Sequence, residues 1–484
     1  MKEQYMSRIV EGFERVCREQ NEKTALIYQS HDRLIRKSYR QLYQEAGSVT
    51  DYLEQCGLHR GEKVLLFAKV SYRLVVFMIA AMRMGITVMF VDIRGLQDKP
   101  EHIVGRFFPD VILLSRQTKL LRWLLRGTRG ICRTLLLDDI PLDRTSAPCK
   151  DRSAEADIAL LTMTTGSTGS PKIIPRSYEN LLRQLELINA NRKTGQNDVI
   201  LTTSFMYVFA NLLSGDTTVL SVISSRSSKA KIDRCFSAFR DVGVTMMITS
   251  PDFALKMDNP FPALRTLYFG GAILNTYEAR KIAGTFAAAD IIYIYGSTEC
   301  NLMSCVPLDR YLASLEQGES CLGEPVRGVQ MRIIEDEIFV ASRALLSGSL
   351  DGSSGHRIQE GEQLWHGTGD AGFLRDGELY YLGRKKFSVQ KDGKRYYYNV
   401  LEQAVSRQFP NWTKCAFSAD GGRMVLFAEG AGQGEIMRAK QFLQEQFRIE
   451  ADVRVLREIP RDVKHHTKVD YSRLPVRNRS EKRE

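Results

Sequence analysis

From residue 199 to residue 295 the chain alternates short apolar runs with amphipathic helical patterns, and this alternation constrains the fold most. The runs 199–203, 244–249, 264–269 and 291–295 are each too short for a typical helix and read as strands. Between them Ile232, Cys235, Phe236 and Phe239 fall on one helical face, and residues 277–286 continue the pattern as a second helix. Just upstream, Leu181, Leu182, Leu185 and Ile188 form a helical stripe that Ser177 can cap. Strands spaced by helices predict an α/β chain, with sheets of parallel strands covered by helices. Such sheets hold ligands on the loops beyond the carboxyl ends of their strands.

Three polar stretches occupy such positions. The run 160–163 breaks into Thr164-Thr165-Gly166-Ser167-Thr168-Gly169-Ser170-Pro171-Lys172. Glycines admit close backbone approach, amides and hydroxyls donate to phosphate oxygens, and lysine adds a point charge, so the loop suits a triphosphate. It is not a Walker A loop. Only two residues separate Gly166 from Gly169, and proline precedes the lysine. The run 291–295 leads into Tyr295-Gly296-Ser297-Thr298-Glu299, which offers an aromatic face, a hydroxyl and a carboxylate. Leu364 and Trp365 lead to Thr368-Gly369-Asp370. Three loops at strand ends should converge on one cleft.

At 484 residues the chain exceeds one ordinary core, and at least two domains are expected. A net charge of +11 favours acidic partners, but the basic residues are spread along the chain and give no nucleic-acid patch. The nine cysteines include no Cys-x-x-Cys pair, which fits a reducing, cytoplasmic setting better than a disulfide framework or a zinc site. No signal peptide or integral membrane segment is expected. The most apolar stretch, 64–89, carries Lys69, Arg73 and Arg83 and reads as a strand followed by a core-facing helix. The serine- and glycine-rich residues 342–362 read as a surface loop. Beyond it the pattern changes. Residues 400–409 and 435–447 read as helices, and 414–418, 424–428 and 453–456 as strands, a small α+β unit. Gly383-Arg384-Lys385-Lys386 marks the favoured boundary, dividing the chain into residues 1–383 and 384–484.

The three loops, then Gly383-Arg384-Lys385-Lys386, then Lys468, occur in the order found in adenylate-forming (AMP-binding) enzymes, and the chain resembles that superfamily from about residue 23 to 474. The resemblance implies its fold: a large N-terminal domain of helix-covered sheets and a small, mobile C-terminal domain carrying a catalytic lysine. It implies ATP and magnesium as cofactors and a small-molecule carboxylic acid as substrate. The acid becomes an acyl-adenylate with release of pyrophosphate, then passes to a thiol of coenzyme A or of phosphopantetheine on an acyl carrier protein.

By the same resemblance, Thr164, Thr165, Gly166, Ser167, Thr168, Gly169 and Lys172 hold the outer phosphates, although Ile173 stands where the family usually has glycine. Gly270, Gly271 and Ala272 form the adenine wall and Tyr295 stacks on the base, with Gly296 beside it. Thr298 touches the α-phosphate, Glu299 binds magnesium, Asp370 takes the ribose hydroxyls and Arg384 contacts ribose or phosphate. Lys386 aligns with the hinge, and Lys468 reaches the α-phosphate and the carboxylate. Phe205, Tyr207 and Phe209 follow the strand at Val199 in the loop that borders the family's acyl pocket, and their apolar character favours a fatty or aromatic acid; plain core packing accounts for them equally well. His465 and His466 lack a third partner and do not make a metal site. Several stretches also resemble the fatty-acid ligase-like branch that includes bacterial β-lactone synthetases, which close a 3-hydroxy acid on itself. The residues are also consistent with a non-catalytic nucleotide- or acyl-binding homologue, or with an ADP-forming kinase.

Overall fold

The computed structural model describes the chain apart from residues 1–6, 32, 92–103, 106, 120–131, 144–152, 165–171, 196, 222, 224–226, 347, 349–355, 421–422, 463–467 and 477–484. Its central element is a 14-stranded sheet. Six of its strands form a parallel array: Thr24–Ser30, Thr217–Leu220, Val199–Thr202, Met246–Thr249, Thr266–Gly270 and Asp290–Tyr295 pair in that order, and the last four are the strands expected from the sequence. These strands are apolar along most of their length because helices cover them, and one core runs from Leu201 through Met247, Leu267 and Phe269 to Tyr293. After Tyr295 the pairing turns antiparallel, through Ser304–Pro307 and Cys321–Pro325 to the long strands Glu378–Arg384 and Gln363–Arg375.

A second, six-stranded sheet carries the first polar loop between Ile158–Thr164 and Lys172–Ser177, an antiparallel pair in which Thr164 faces Lys172. Ser177 then starts the predicted helix, Tyr178–Ala190, its side chain accepting from Asn180 N at 3.1 Å. The apolar stretch near residues 64–89 is the strand Lys63–Phe67 and the buried helix Tyr72–Met84, and no helix among the described residues is long and apolar enough to cross a membrane.

Three expectations need correction. Thr368-Gly369-Asp370 is not a strand-end loop but lies inside the 13-residue strand Gln363–Arg375, which bends there: Gly369 adopts φ +72° and the register with the neighbouring strand slips at Ala371/Gly372. Residues 342–362 are not all loop, since Arg357–Glu360 pairs as a strand with Gln363–Arg375. Phe205, Tyr207 and Phe209 sit on a helix, Phe205–Ser214, and not in a loop. Gly215 ends that helix in the left-handed conformation, which a glycine adopts at no steric cost.

Past Arg384 the chain builds separate small sheets and a core of its own, in which Leu401, Val405, Trp412, Phe417, Leu426 and Leu443 meet. This unit is fastened to the large sheet by buried polar bonds. Lys414 Nζ donates to both carboxylate oxygens of Glu278, at 2.7 and 2.8 Å. Asn275 Nδ2 donates to the Thr413 carbonyl at 2.9 Å, and Gln403 Nε2 to the Leu274 carbonyl at 2.8 Å. Glu278 has a second task, since it and Asn275 form the reciprocal cap of helix Thr276–Thr285. Glu278→Ala therefore leaves a buried ammonium without its counter-charge, a loss on the order of 3–5 kcal/mol. The expected result is undocking of the small unit, read as faster protease cleavage between residues 384 and 397 in the variant than in the parent protein.

Candidate functional site

The end of strand Asp290–Tyr295 forms one wall of a cleft of about 210 Å³, and strand Glu378–Arg384, helix Tyr398–Gln408 and the segment around Lys468 form the others. Gly271, Ala272, Tyr295, Gly296, Asp370 and Arg384 all line it, as does Lys468. Gly296 lines the cleft and Gly270 does not, and each lets neighbouring backbone approach closely. A Cβ at Gly270 would overlap the Ile294 carbonyl, and one at Gly296 would overlap the Asn301 carbonyl. The separate expectations for these positions thus meet in one place.

Asp370 is the centre of the cleft. It is buried, it accepts from the Tyr295 hydroxyl at 2.7 Å, and Arg384 Nε lies 3.0 Å from its Oδ1. That Nε is off the hydrogen-bond direction, so Oδ1 has a charge beside it but no hydrogen bond. Burial raises the Asp370 carboxyl, against the opposing pull of Arg384, Tyr295 and Lys468. Arg384 is itself held in place by a 3.1 Å bond from Nη1 to the Thr368 carbonyl, and the Asp370 charge keeps its guanidinium firmly protonated. A buried carboxylate oxygen without a donor, beside an open cleft, suits a ligand hydroxyl.

Lys468 reaches the same cleft from the far end of the chain. Desolvation by the walls lowers its ammonium, and Arg384 lowers it further, while Asp370, Asp462 and Glu299 act to raise it. The residue as a whole is exposed, and it is among those that line the cleft. Lys468 N donates to Asp462 Oδ1 at 2.8 Å and the Lys468 carbonyl accepts from Asp462 N at 2.8 Å, which pins the lysine beside Asp462. Residues 463–467, with both histidines, lie outside the described residues. No cluster of three potential metal ligands occurs among those that are described.

Thr298 and Glu299 follow Tyr295 in the turn before Ser304–Pro307. Glu299 is close enough to act electrostatically on both Arg384 and Lys468. The first loop is tied to this turn by a residue that the sequence did not single out. Arg176, buried on the strand leaving the loop, donates to the Thr298 carbonyl at 3.0 Å, to Gln184 Oε1 at 3.1 Å and to the Thr162 hydroxyl. Burial pushes its guanidinium down to about 10, against the pull of Glu299. Thr165, Gly166, Ser167, Thr168 and Gly169 are outside the described residues, as are the side chains of Thr164 and Lys172.

Phe205, Tyr207 and Phe209 are not among the described residues lining the cleft. Phe205 and Phe209 pack edge to face, 5.1 Å between ring centres, against the N-terminal core. Tyr207 packs against the same core and also meets an apolar cluster of Ile200, Met246, Ile248 and Tyr268, which touches Ile294. Lys386 also stands outside the lining, its ammonium 4.7 Å from the Phe387 ring centre.

The cleft has walls that sequence reasoning missed: Tyr381, Tyr398, Glu402, Gln403, Lys414 and Tyr471. Among them Glu402 is set apart by its environment. It accepts from Phe417 N at 3.0 Å and from the Tyr471 hydroxyl at 3.0 and 3.2 Å.

Against this geometry the relatives can be set. Residues 13–340 match the AMP-binding enzyme family. The chain belongs to that family. It is 23% identical over 471 residues to surfactin synthase subunit 1 of Bacillus subtilis (strain 168), a match covering 88% of this chain and 12% of that protein. It is 24% identical over 407 residues to the D-alanine--D-alanyl carrier protein ligase of Streptococcus pyogenes serotype M5 (strain Manfredo), covering 77% of each. This chain thus spans only 12% and 8% of the first two curated relatives, the second being bacitracin synthase 1 of Bacillus licheniformis. Among solved structures, o-succinylbenzoate CoA synthetase from Bacillus subtilis in complex with its acyl-adenylate superposes with a TM-score of 0.79 at 17% identity, over 96% of this chain and 98% of that one. The adenylate-forming fold is therefore the fold of this chain.

Burial pushes the Glu402 carboxyl up to about 7 from its ordinary 4.5, against the opposing effects of Phe417 N, Tyr471 and Lys414. An unfolded chain ionises this group near pH 4.5, whereas the folded protein keeps the proton until about pH 7. Stability tied to Glu402 is thus fully present below pH 4.5 and lost as pH rises toward 7, on the order of 3 kcal/mol in all. Denaturant titrations from pH 4.5 to 7.5 should show a shallower fall for Glu402→Gln than for the parent protein.

Proposed function

We propose that this chain activates a carboxylic acid with ATP and then hands the acyl group to a thiol. The observation that carries the reading is the meeting of Tyr295, Asp370, Arg384 and Lys468 in one cleft that Gly271, Ala272 and Gly296 also line. An aromatic face suits adenine, and the unsatisfied Asp370 oxygen suits a ribose hydroxyl. Lys468 and Arg384 are cations beside the position where an α-phosphate and a carboxylate must approach each other.

In the first step a carboxylate oxygen attacks the α-phosphorus of ATP and pyrophosphate leaves. Two anions are brought together, so the main demands are charge neutralisation and alignment. Lys468 is assigned to the α-phosphate and the incoming carboxylate, Arg384 to ribose or phosphate, and Thr298 to the α-phosphate. The loop from Thr164 to Lys172 takes the outer phosphates. Glu299 is assigned to magnesium, which would neutralise phosphate charge. In the second step a thiol attacks the acyl carbonyl carbon and AMP leaves. The acceptor is assigned to coenzyme A or to phosphopantetheine on an acyl carrier protein, in keeping with the net charge of +11 and with a carrier-protein ligase among the relatives.

The acyl group is assigned as apolar, because the Tyr207 side of the fold is lined by Ile200, Met246 and Ile248. Between steps the unit from residue 384 onward is proposed to turn about Lys385-Lys386 and withdraw Lys468. Lys468→Ala should then lower acyl-adenylate formation by roughly 100-fold or more, while coenzyme A still cleaves a supplied acyl-adenylate at close to the parent rate. Equal loss in the two half-reactions, or ADP in place of AMP as the nucleotide product, contradicts the assignment.

A further inference from the structure

The two described segments that flank residues 463–467 meet in an isolated antiparallel bridge, where Arg461 faces Val469. Each side has an acidic anchor. On the outgoing side Glu429 accepts from Ile459 N at 2.8 Å and from Arg461 Nη2 at 3.3 Å. On the returning side, three residues past the lysine, the Tyr471 hydroxyl donates to both oxygens of Glu402. The Tyr471 ring lies 4.2 Å from the Phe387 ring and 6.3 Å from the Tyr398 ring, centre to centre.

These contacts join three places that sequence keeps apart: the first residues of the small unit, its first helix and the lysine segment. Phe387, Tyr398, Glu402, Lys468 and Tyr471 all line the one cleft. The phenol is deeply desolvated and its own pKa stands well above 10, so it stays a donor. Glu402 is fixed from behind by Phe417 N, at 3.0 Å, and by the Cys415 thiol, which donates to the Glu402 carbonyl at 3.4 Å.

We propose that Glu402 and Tyr471 are positioning residues for the first half-reaction: their hydrogen bond sets the reach of Lys468 into the cleft. The proposal rests on the adenylation role given to Lys468 above. Neither residue is assigned contact with the reacting atoms. The expectation is physical. A misplacement of about 1 Å costs up to roughly 100-fold in a reaction that depends on alignment. Tyr471→Phe keeps the ring stack and removes only the donor. Glu402→Ala removes the acceptor, and Glu402→Gln keeps an acceptor oxygen for both Tyr471 and Phe417.

The test uses the full chain and two readouts. The first is exchange of labelled pyrophosphate into ATP, with whichever acid the parent protein accepts, set beside coenzyme A cleavage of the matching synthetic acyl-adenylate. Tyr471→Phe and Glu402→Ala should lower kcat for exchange by roughly 10- to 100-fold, leave KM for ATP within about twofold, and spare the cleavage step; Glu402→Gln should restore most of the exchange rate. The second is backbone hydrogen exchange over residues 459–476, which needs no substrate. Protection there should fall in Tyr471→Phe while the rest of the small unit is unchanged. Parent-like pyrophosphate exchange in Tyr471→Phe, or equal loss in both half-reactions, overturns the positioning role. If the parent protein exchanges with no acid, the adenylation reading is what fails, and unaltered protection over 459–476 in Tyr471→Phe would then overturn the clamp as well. Should Glu402→Ala not fold, Tyr471→Phe and Glu402→Gln decide the matter.

Discussion

The site depends on one buried carboxylate. Asp370 lies inside a strand and would be costly to desolvate alone. Its cost is offset by the Tyr295 hydroxyl from the last parallel strand and by Arg384, the last residue of the next strand. Those contacts tie the end of the last parallel strand to the antiparallel pair Gln363–Arg375 and Glu378–Arg384. The strand bends at Gly369, beside this carboxylate, and the bond from Arg384 to the Thr368 carbonyl closes the loop of interactions. An oxygen left without a donor in so well-organised a place is the clearest sign that the pocket is built for something polar.

Around that centre the positive charges are graded by burial. Arg176 is the most enclosed and works on the structure, joining the first loop's hairpin to the turn carrying Thr298 and Glu299. Arg384 is partly open and paired with Asp370. Lys468 lines the cleft and is held by bonds between its backbone and Asp462, and desolvation lowers its ammonium from the ordinary lysine range. Arg176 and Arg384 are thus held by side-chain contacts to Thr298 and to Thr368 and Asp370, and Lys468 is carried by the terminal segment. That division suits a reaction in which one cation must be present for one step and absent for the next.

Much of this was legible in the sequence. Each polar motif kept its residues together along the chain, so Tyr295, Gly296 and Asp370 could be named before any geometry was known. The alternation of strand and helix gave four strands of the parallel array, and residues 277–286 and 435–447 lie close to the observed helices Thr276–Thr285 and Glu435–Phe447. What stayed hidden were pairs distant in sequence. Arg176 meets Thr298 across 122 residues, Lys414 meets Glu278 across 136, and Tyr471 meets Glu402 across 69. Thr298, Glu278 and Glu402 each lie in a motif or helical pattern, but nothing in a local pattern says which distant residue each will meet. Phe205, Tyr207 and Phe209 show the opposite limit. Their apolar character was plain, but whether apolar residues face a ligand or a core is decided by the helix that carries them.

The central claim is that this cleft joins a carboxylate to the α-phosphate of ATP. The most direct measurement is acid-dependent exchange of labelled pyrophosphate into ATP, run over fatty, 3-hydroxy-fatty, aryl and amino acids. The account predicts exchange with an apolar class and none without acid. Absence of exchange with every class, in a protein that still binds ATP, would contradict it and leave a nucleotide-binding homologue that kept the cleft and lost the chemistry.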